Sequence, residues 1–324
     1  MRILVTGASG MLGRAVAQRL IGRGDRVRVF QRRPAGIPGA EEVLGDVTRP
    51  GELVSAVDGM DAVVHLAAKV TVTGPWRDFV RANVDGVNHL VEAMRTAGVR
   101  TLVHVSSPSV AHHGSALFGV GAGPADPDRT RGHYAHSKAL GELLALGSDG
   151  PQLAVVAIRP HLVWGPGDTQ LVARIVERAR RGRLAVIGTG AALIDTTYVD
   201  NAAAAMVAAV DRIGAARGQA LVVSNGEPRP VGELFEQLCA AAGVAPPRRR
   251  VPFRVAWTAG AAVDAAWSAL RRQDDPPITR FLAEQLATAH WFDQRRTRRL
   301  LGWTPEIDLD TGLARLASWY AGPP

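Results

Sequence analysis

The chain is poor in cysteine, lysine and aromatic residues. Cys239 is the only cysteine in 324 residues. One thiol excludes an intrachain disulfide framework and a cysteine-based zinc site, and it fits a reducing compartment. No run of about 18 uncharged apolar residues occurs, so no spanning helix is expected. The apolar opening Ile3-Leu4-Val5 reaches Gly7 too soon for a secretory signal. The expectation is therefore a cytoplasmic protein. Lys69 and Lys138 are the only lysines, so arginine carries almost all of the 38 basic charges that, against 30 acidic ones, give a formal net charge of +8. Arg248-Arg249-Arg250 and Arg295-Arg296-Thr297-Arg298-Arg299 come without interleaved aromatics or a nucleic-acid motif. They read as solvated surface, with no nucleic-acid partner expected. No residues have metal-ligand spacing, and His112-His113 reads as a loop pair without partners. With 47% hydrophobic and 21% charged residues, the chain can bury a core.

The first half alternates short apolar runs with amphipathic stretches: strands at 2–6, 26–30, 42–44, 62–67, 101–106 and 154–158, helices at 11–23, 50–57, 76–97 and 134–146. This alternation predicts an α/β fold, a Rossmann-type doubly wound parallel sheet covered on both faces. Residues 1–160 form the dinucleotide-binding core in this reading, with strands near 185–187 and 220–224 rejoining its sheet. Residues 161–324 are mostly a smaller, mainly helical substrate region. The stretch 112–133 is rich in Gly, Pro and Asp without periodicity and reads as a loop.

Gly7-Ala8-Ser9-Gly10-Met11-Leu12-Gly13 lies between the first strand and the first helix. Gly7 permits a tight turn, Gly10 lets the backbone approach a pyrophosphate, and Gly13 lets the helix pack on the sheet. The helix N-terminus, around Ser9, Met11 and Leu12, offers free N–H groups to phosphates. After the second strand stand Gln31, Arg32 and Arg33, where NAD enzymes usually place a carboxylate. No carboxylate there repels a 2′-phosphate and two guanidiniums can pair with one, so NADP(H) is favoured and NAD(H) is the alternative. Asp46-Val47 follows the third strand, where a carboxylate can accept from an adenine amino group or serve a turn.

Tyr134 and Lys138 are four residues apart, on one face of a helix. A free tyrosine, with a pKa of about 10, is a poor acid or base at neutrality. A neighbouring ammonium lowers it towards the working pH. Upstream, Ser106-Ser107-Pro108-Ser109 ends a strand at the edge where open parallel sheets bind ligands. Such a serine can hold a substrate oxygen, with Ser106 and Ser109 as rivals.

Gly7-x-x-Gly10-x-x-Gly13, Asp46-Val47, His65-Leu-Ala-Ala68, Asn83-Val-Asp-Gly86, Ser106-Ser107, Tyr134-x-x-x-Lys138 and Arg159-Pro160 together resemble an extended short-chain dehydrogenase/reductase over nearly the whole chain. Residues 158–168, Asp195-x-x-Tyr-Val-Asp-Asn201 and Leu301-Gly-Trp-Thr-Pro305 are similar to the 3β-hydroxysteroid dehydrogenase branch. That branch includes sterol-4α-carboxylate 3-dehydrogenases and bacterial 2-alkyl-3-oxoalkanoate reductases. The resemblance implies that Ser107, Tyr134 and Lys138 are catalytic, with Tyr134 and Lys138 also touching the cofactor. It implies that Ala67, Ala68 and Lys69 line the cofactor, that Pro160, His161 and Leu162 flank the nicotinamide, and that Asn83 is a structural hydrogen-bonding group. His161 belongs to this motif and is not read as a metal ligand. A homodimer through the helices near 76–97 and 134–146 is implied in the same way.

The expected activity is NAD(P)-dependent interconversion of a secondary alcohol and a ketone on a hydrophobic substrate, a 3-hydroxysteroid or sterol or a 2-alkyl-3-oxo fatty acid. The alternatives are a sugar-nucleotide epimerase or dehydratase and a non-catalytic NADP(H)-binding regulator. The apolar segment 255–270, closed by Arg271-Arg272, reads either as a lid over a greasy pocket or as a helix resting on a membrane surface.

Overall fold

Strands such as Ile3-Leu4-Val5 and Ala62-Val63-Val64 are buried on both faces, so helices must cover both sides of the sheet they form. The computed structural model describes residues 1–71, 73–270, 272 and 276–322, apart from the Ser268 side chain. Arg271 lies outside the described residues. The chain runs β1 (Arg2–Thr6), α1 (Met11–Gly22), β2 (Arg26–Gln31), β3 (Ala40–Leu44), α2 (Pro50–Val57), β4 (Ala62–His65), α3 (Trp76–Val80), a π-helical turn at Arg81–Asp85, α4 (Gly86–Ala97), β5 (Thr101–Val105), β6 (Leu117–Val120), α5 (Gly132–Gly147) and β7 (Ala154–Pro160). It continues through β8 (Val163–Trp164), α6 (Val172–Arg180), β9 (Ala185–Ile187), β10 (Leu193–Ile194), β11 (Thr197–Tyr198), α7 (Val199–Asp211), α8 (Ile213–Ala216), β12 (Ala220–Val223), β13 (Arg229–Pro230), α9 (Val231–Ala241), β14 (Arg249–Val251), α10 (Phe253–Ala269), α11 (Arg280–Ala287), β15 (His290–Phe292), α12 (Arg295–Leu301) and α13 (Leu309–Ala321).

Seven strands form one parallel sheet in the order β12-β7-β5-β4-β1-β2-β3. This is the Rossmann-like sheet expected from the sequence. The order reverses between β1 and β4, so a crevice opens there above the strand ends. Helices α1 and α7 pack on one face, where Val16, Leu20 and Met206 meet Ile3, Val5 and Val103. Helices α2, α4 and α5 cover the other, where Leu53, Leu90 and Ala145 meet Leu4, Val63 and Leu102. A third core, with Trp164, Ile175, Tyr198 and Phe235, lies among the later elements.

Three sequence expectations change. The strand at 185–187 exists but does not rejoin the large sheet; it pairs with β14. The far side of β7 is taken by β12, and the outer edge of β12 is closed by α12, whose Thr297 hydroxyl donates to the Val222 carbonyl at 2.7 Å. The stretch 112–133 is not structureless, since β6 pairs with β15 from the far end of the chain. Gly119, at φ +60°, interrupts the alternation that would have shown this strand. The helix expected over 76–97 is broken by the π turn, which turns Asn83 inwards.

At Gly141 of α5 a β-carbon would collide with the Asn83 carbonyl oxygen. Gly141→Ala should therefore push α5 off the π turn and destabilise the fold by about 1–3 kcal/mol. Thermal unfolding beside the native protein checks this, and an unchanged melting temperature would contradict the packing described.

Candidate active site

The turn after β1 is shaped by close approach. Gly7 has φ +74°, and a β-carbon there would sit 2.8 Å from the Ala67 nitrogen. A β-carbon on Gly13 would strike the Gly7 carbonyl, whereas at Gly10 the nearest atom is 3.5 Å away. Gly10 caps α1 in an extended conformation, and Ser9 is exposed beside it, with Met11 and Leu12 half-buried in the first turn. The Thr6 hydroxyl accepts from the Leu66 and Ala67 nitrogens at 3.2 and 3.1 Å, which draws the end of β4 against this turn.

At the end of β2, Gln31 is buried and Arg32 and Arg33 are exposed. Neither guanidinium is in an ion pair among the described residues. The sequence reading of this place as free of carboxylates needs correction. Glu42, from neighbouring β3, accepts from Gln31 Nε2 at 2.8 Å and from the Ala35 nitrogen. It was missed because parallel pairing brings it in from eleven residues downstream. Asp46 Oδ1 accepts from the Thr48 nitrogen at 2.9 Å, so Asp46 builds the turn that follows, with Val47 buried behind it.

Ala67, Ala68 and Lys69 leave β4 half-buried. Asn83 holds this stretch: its Oδ1 accepts from the Lys69 nitrogen at 2.7 Å, and its Nδ2 donates to the Lys69 carbonyl at 3.1 Å and to Ser137 Oγ at 2.9 Å. Ser137 in turn donates to the Tyr134 carbonyl at 2.9 Å. The stretch after β4 and the Tyr134 helix are thus joined through one amide.

Three serines follow β5, and the structure separates them. Ser106 is buried and its hydroxyl has no partner among the described residues. Ser109 bonds Ser107, with the hydroxyls 2.9 Å apart. Ser107 is the one of the three that acts on the Tyr134 phenol. Burial raises the Tyr134 pKa above its usual value, and the neighbouring Ser107 hydroxyl opposes that rise. The ammonium-induced lowering expected from sequence is not what this geometry produces. Lys138 instead donates to the Val105 carbonyl at 2.6 Å. Burial pushes the Lys138 pKa down to about 8, and Glu142 one turn further along opposes it. Glu142 is paired with Arg159 of β7, both fully buried, at 2.8 Å from Nε. Arg159 also donates to the Ala122 and Gly123 carbonyls.

Pro160, His161 and Leu162 turn out of β7 beside Ser106, whose nitrogen donates to the Ile158 carbonyl at 2.7 Å. Leu162 has φ +43°, the only left-handed non-glycine among the described residues, a strained conformation of the sort that collects at functional sites. His161 Nδ1 donates to the Asp195 carbonyl at 2.6 Å, and its ring meets His290 edge-on at 4.9 Å. His112 does have partners, unlike the sequence reading. Its Nε2 donates to the Ser115 carbonyl and its Nδ1 accepts from Gln285, both at 3.0 Å. Glu284, also on α11, binds Arg131 and accepts from Trp257 Nε1 of α10 at 2.9 Å. No local pattern marks Glu284 or Gln285, whereas Glu142 stands four residues after Lys138 and could have been found by that spacing. Among the described residues no group of His, Cys, Asp or Glu could hold a metal ion, and no helix is long and apolar enough to cross a membrane.

A profile of the NAD dependent epimerase/dehydratase family matches residues 3–224. A 2-alkyl-3-oxoalkanoate reductase of Stenotrophomonas maltophilia (strain K279a) is 41% identical over 98% of both chains. A 3-beta-hydroxysteroid dehydrogenase of Mycolicibacterium neoaurum is 31% identical, over 98% of this chain and 90% of that one. Among solved structures, MoeE5 in complex with UDP-glucose and NAD aligns with a TM-score of 0.76 at 27% identity, over 99% of both chains.

Burial sets a pH dependence of stability. It lowers His65 to about 3 and His290 to about 4, holds His104 and His161 well below the usual 6.5, and lowers His112. These rings stay neutral in the fold while the unfolded chain takes up protons, so stability falls as pH drops below 6.5. Asp195, raised by burial to about 6, works the other way between 6 and 3.8. Five imidazoles outweigh one carboxyl, each worth about 1.4 kcal/mol per pH unit while it titrates. Urea unfolding at pH 7, 6 and 5 should show a steep loss; a flat profile would contradict the burial.

Proposed function

The chain belongs to the NAD dependent epimerase/dehydratase family, and from that premise we propose that it is an NAD(P)-dependent oxidoreductase interconverting a secondary alcohol and a ketone on a hydrophobic substrate. The observation that carries this reading is the placement of Ser107 after β5 beside Tyr134 of α5, with Lys138 one helical turn beyond and donating to the Val105 carbonyl at the same strand end. The glycine cradle fits a dinucleotide, since Gly7 and Gly13 are required by the fold while the space at Gly10 is open to a pyrophosphate. Ser9, Met11, Leu12, Asp46, Val47, Ala67, Ala68, Lys69, Pro160, His161 and Leu162 would line it, and Lys138 would hold the ribose. A nicotinamide held there would supply the hydride in reduction and accept it in oxidation. Ser107 holds the substrate oxygen, and Tyr134 Oη gives it a proton in reduction or takes one in oxidation.

Of the two substrate classes, the 2-alkyl-3-oxo acid is supported by the 41% identical reductase and the 3-hydroxysteroid by the 31% identical dehydrogenase. NADP(H) is the preferred cofactor in this proposal, supported by the exposed, uncommitted Arg32 and Arg33. Glu42 is not a rival for them, because it is engaged by Gln31 and Ala35. The exposed Leu143 of α5 favours a homodimer through that helix. The exposed Phe253 and Val255 of α10, beside Arg254, and Leu270 just after that helix favour peripheral contact with a membrane surface.

Oxidation of NADPH and NADH against a 3-ketosteroid and a 2-alkyl-3-oxo acid tests the activity. Tyr134→Phe should lower kcat by about 10²–10⁴-fold while dinucleotide binding is kept. Turnover retained in this variant would overturn the assignment. Replacing Arg32 and Arg33 by alanine should raise KM for NADPH by about 10–100-fold and leave NADH nearly unaffected. A native preference for NADH would overturn the cofactor proposal.

A further inference from the structure

The loop that follows β2 is held from two sides. Ala35 and Ile37 are buried in the core that α1 shares with the sheet. Arg14 of α1, the residue after Gly13, donates to the Ala35 carbonyl, and Glu42 of β3 accepts from the Ala35 nitrogen. Arg32 and Arg33, both exposed, stand between this anchor and the end of β2. The helix that opens at the glycine turn and the outermost strand of the sheet thus grip the same residue, three and two positions beyond the two arginines.

Sheet pairing brings Glu42 to this place. Glu42 lies opposite Val29, and parallel partners share a face, so its side chain is on the same face as Gln31, two residues after Val29. Gln31 Nε2 donates to Glu42 at 2.8 Å. Gln31 is buried, and its Oε1 has no partner among the described residues. An unpaired buried oxygen is costly, and a flipped amide would set that oxygen against the carboxylate, so the bond to Glu42 fixes how Gln31 is turned. Gln31 stands at the strand end where NAD enzymes usually place a carboxylate of their own. Glu42 is exposed and one hydrogen bond away from that position. Engaged by Gln31 and Ala35, its charge is spent on the loop. Released, it is a free carboxylate at the ribose position, able to accept from ribose hydroxyls and to repel a 2′-phosphate.

We propose that Gln31 determines cofactor specificity by holding Glu42 away from the adenosine ribose, so that the arginines beside it meet a 2′-phosphate without a competing carboxylate. This rests on the NADP(H) reading of Arg32 and Arg33. The test is the binding of NADPH and NADH to the protein without substrate, followed by the fluorescence of the reduced nicotinamide, so no turnover is needed. Gln31→Met keeps the bulk of the side chain and removes its donor. In this variant the ratio of the NADH to the NADPH dissociation constant should fall by about 10–100-fold, because a like charge is released towards the 2′-phosphate. Gln31→Met combined with Glu42→Gln, which removes that charge, should return the ratio to near its native value. If Gln31→Met does not fold, Gln31→Asn, whose amide is one methylene too short for Glu42, decides by the same ratio. A native preference for NADPH that survives in the Gln31 variant, or that is lost as fully in the double variant, overturns this inference alone. A native preference for NADH overturns the NADP(H) reading and this inference with it.

Discussion

The site depends on how closely α5 can press against the chain beneath it. Gly141 removes the side chain that would strike the Asn83 carbonyl, and Asn83 spends its amide on Lys69 and Ser137. The π turn exists to present that amide. Once α5 is seated, Tyr134, Lys138 and Glu142 fall at successive turns over the ends of β5 and β7. Glu142 then locks to Arg159, so the helix is fixed at the Lys138 turn by the Val105 carbonyl and at the next turn by an ion pair. A buried ion pair of this kind adds little net stability but makes any other placement of the helix costly.

Much of this was legible in the sequence because it is local. The glycine turn, the Tyr134–Lys138 spacing and the alternation of strands with helices each occupy a few consecutive residues. Their meaning follows from one helical turn or one strand–turn–helix unit. What was not legible depends on partners far along the chain. β6 is a strand only because β15 lies beside it, and β9 looked like a core strand because nothing local showed that β12 had filled that place. Glu42 reaches the end of β2 through sheet pairing, not through spacing. The lowered tyrosine pKa was a pairwise expectation, and the structure showed that burial and the direction of Lys138 decide it.

The later part of the chain reaches the site through α11. Glu284 gathers Arg131, three residues before Tyr134, and Trp257 of α10, while Gln285 takes His112 from the loop that begins at Ser107. Gly260 of α10 packs directly on the Thr279 backbone, and Asp264 accepts from the Arg280 nitrogen at 3.0 Å. The two helices therefore meet Arg131 before Tyr134 and His112 in the loop after β5 together.

The two edges of the large sheet are finished differently. At β3 the outer strand exposes Glu41 and Glu42, whose charges repel a second strand of the same kind. At β12 the Thr297 hydroxyl occupies the carbonyl that an incoming strand would need. Charge at one edge and a side-chain cap at the other both discourage a further strand from pairing with this sheet.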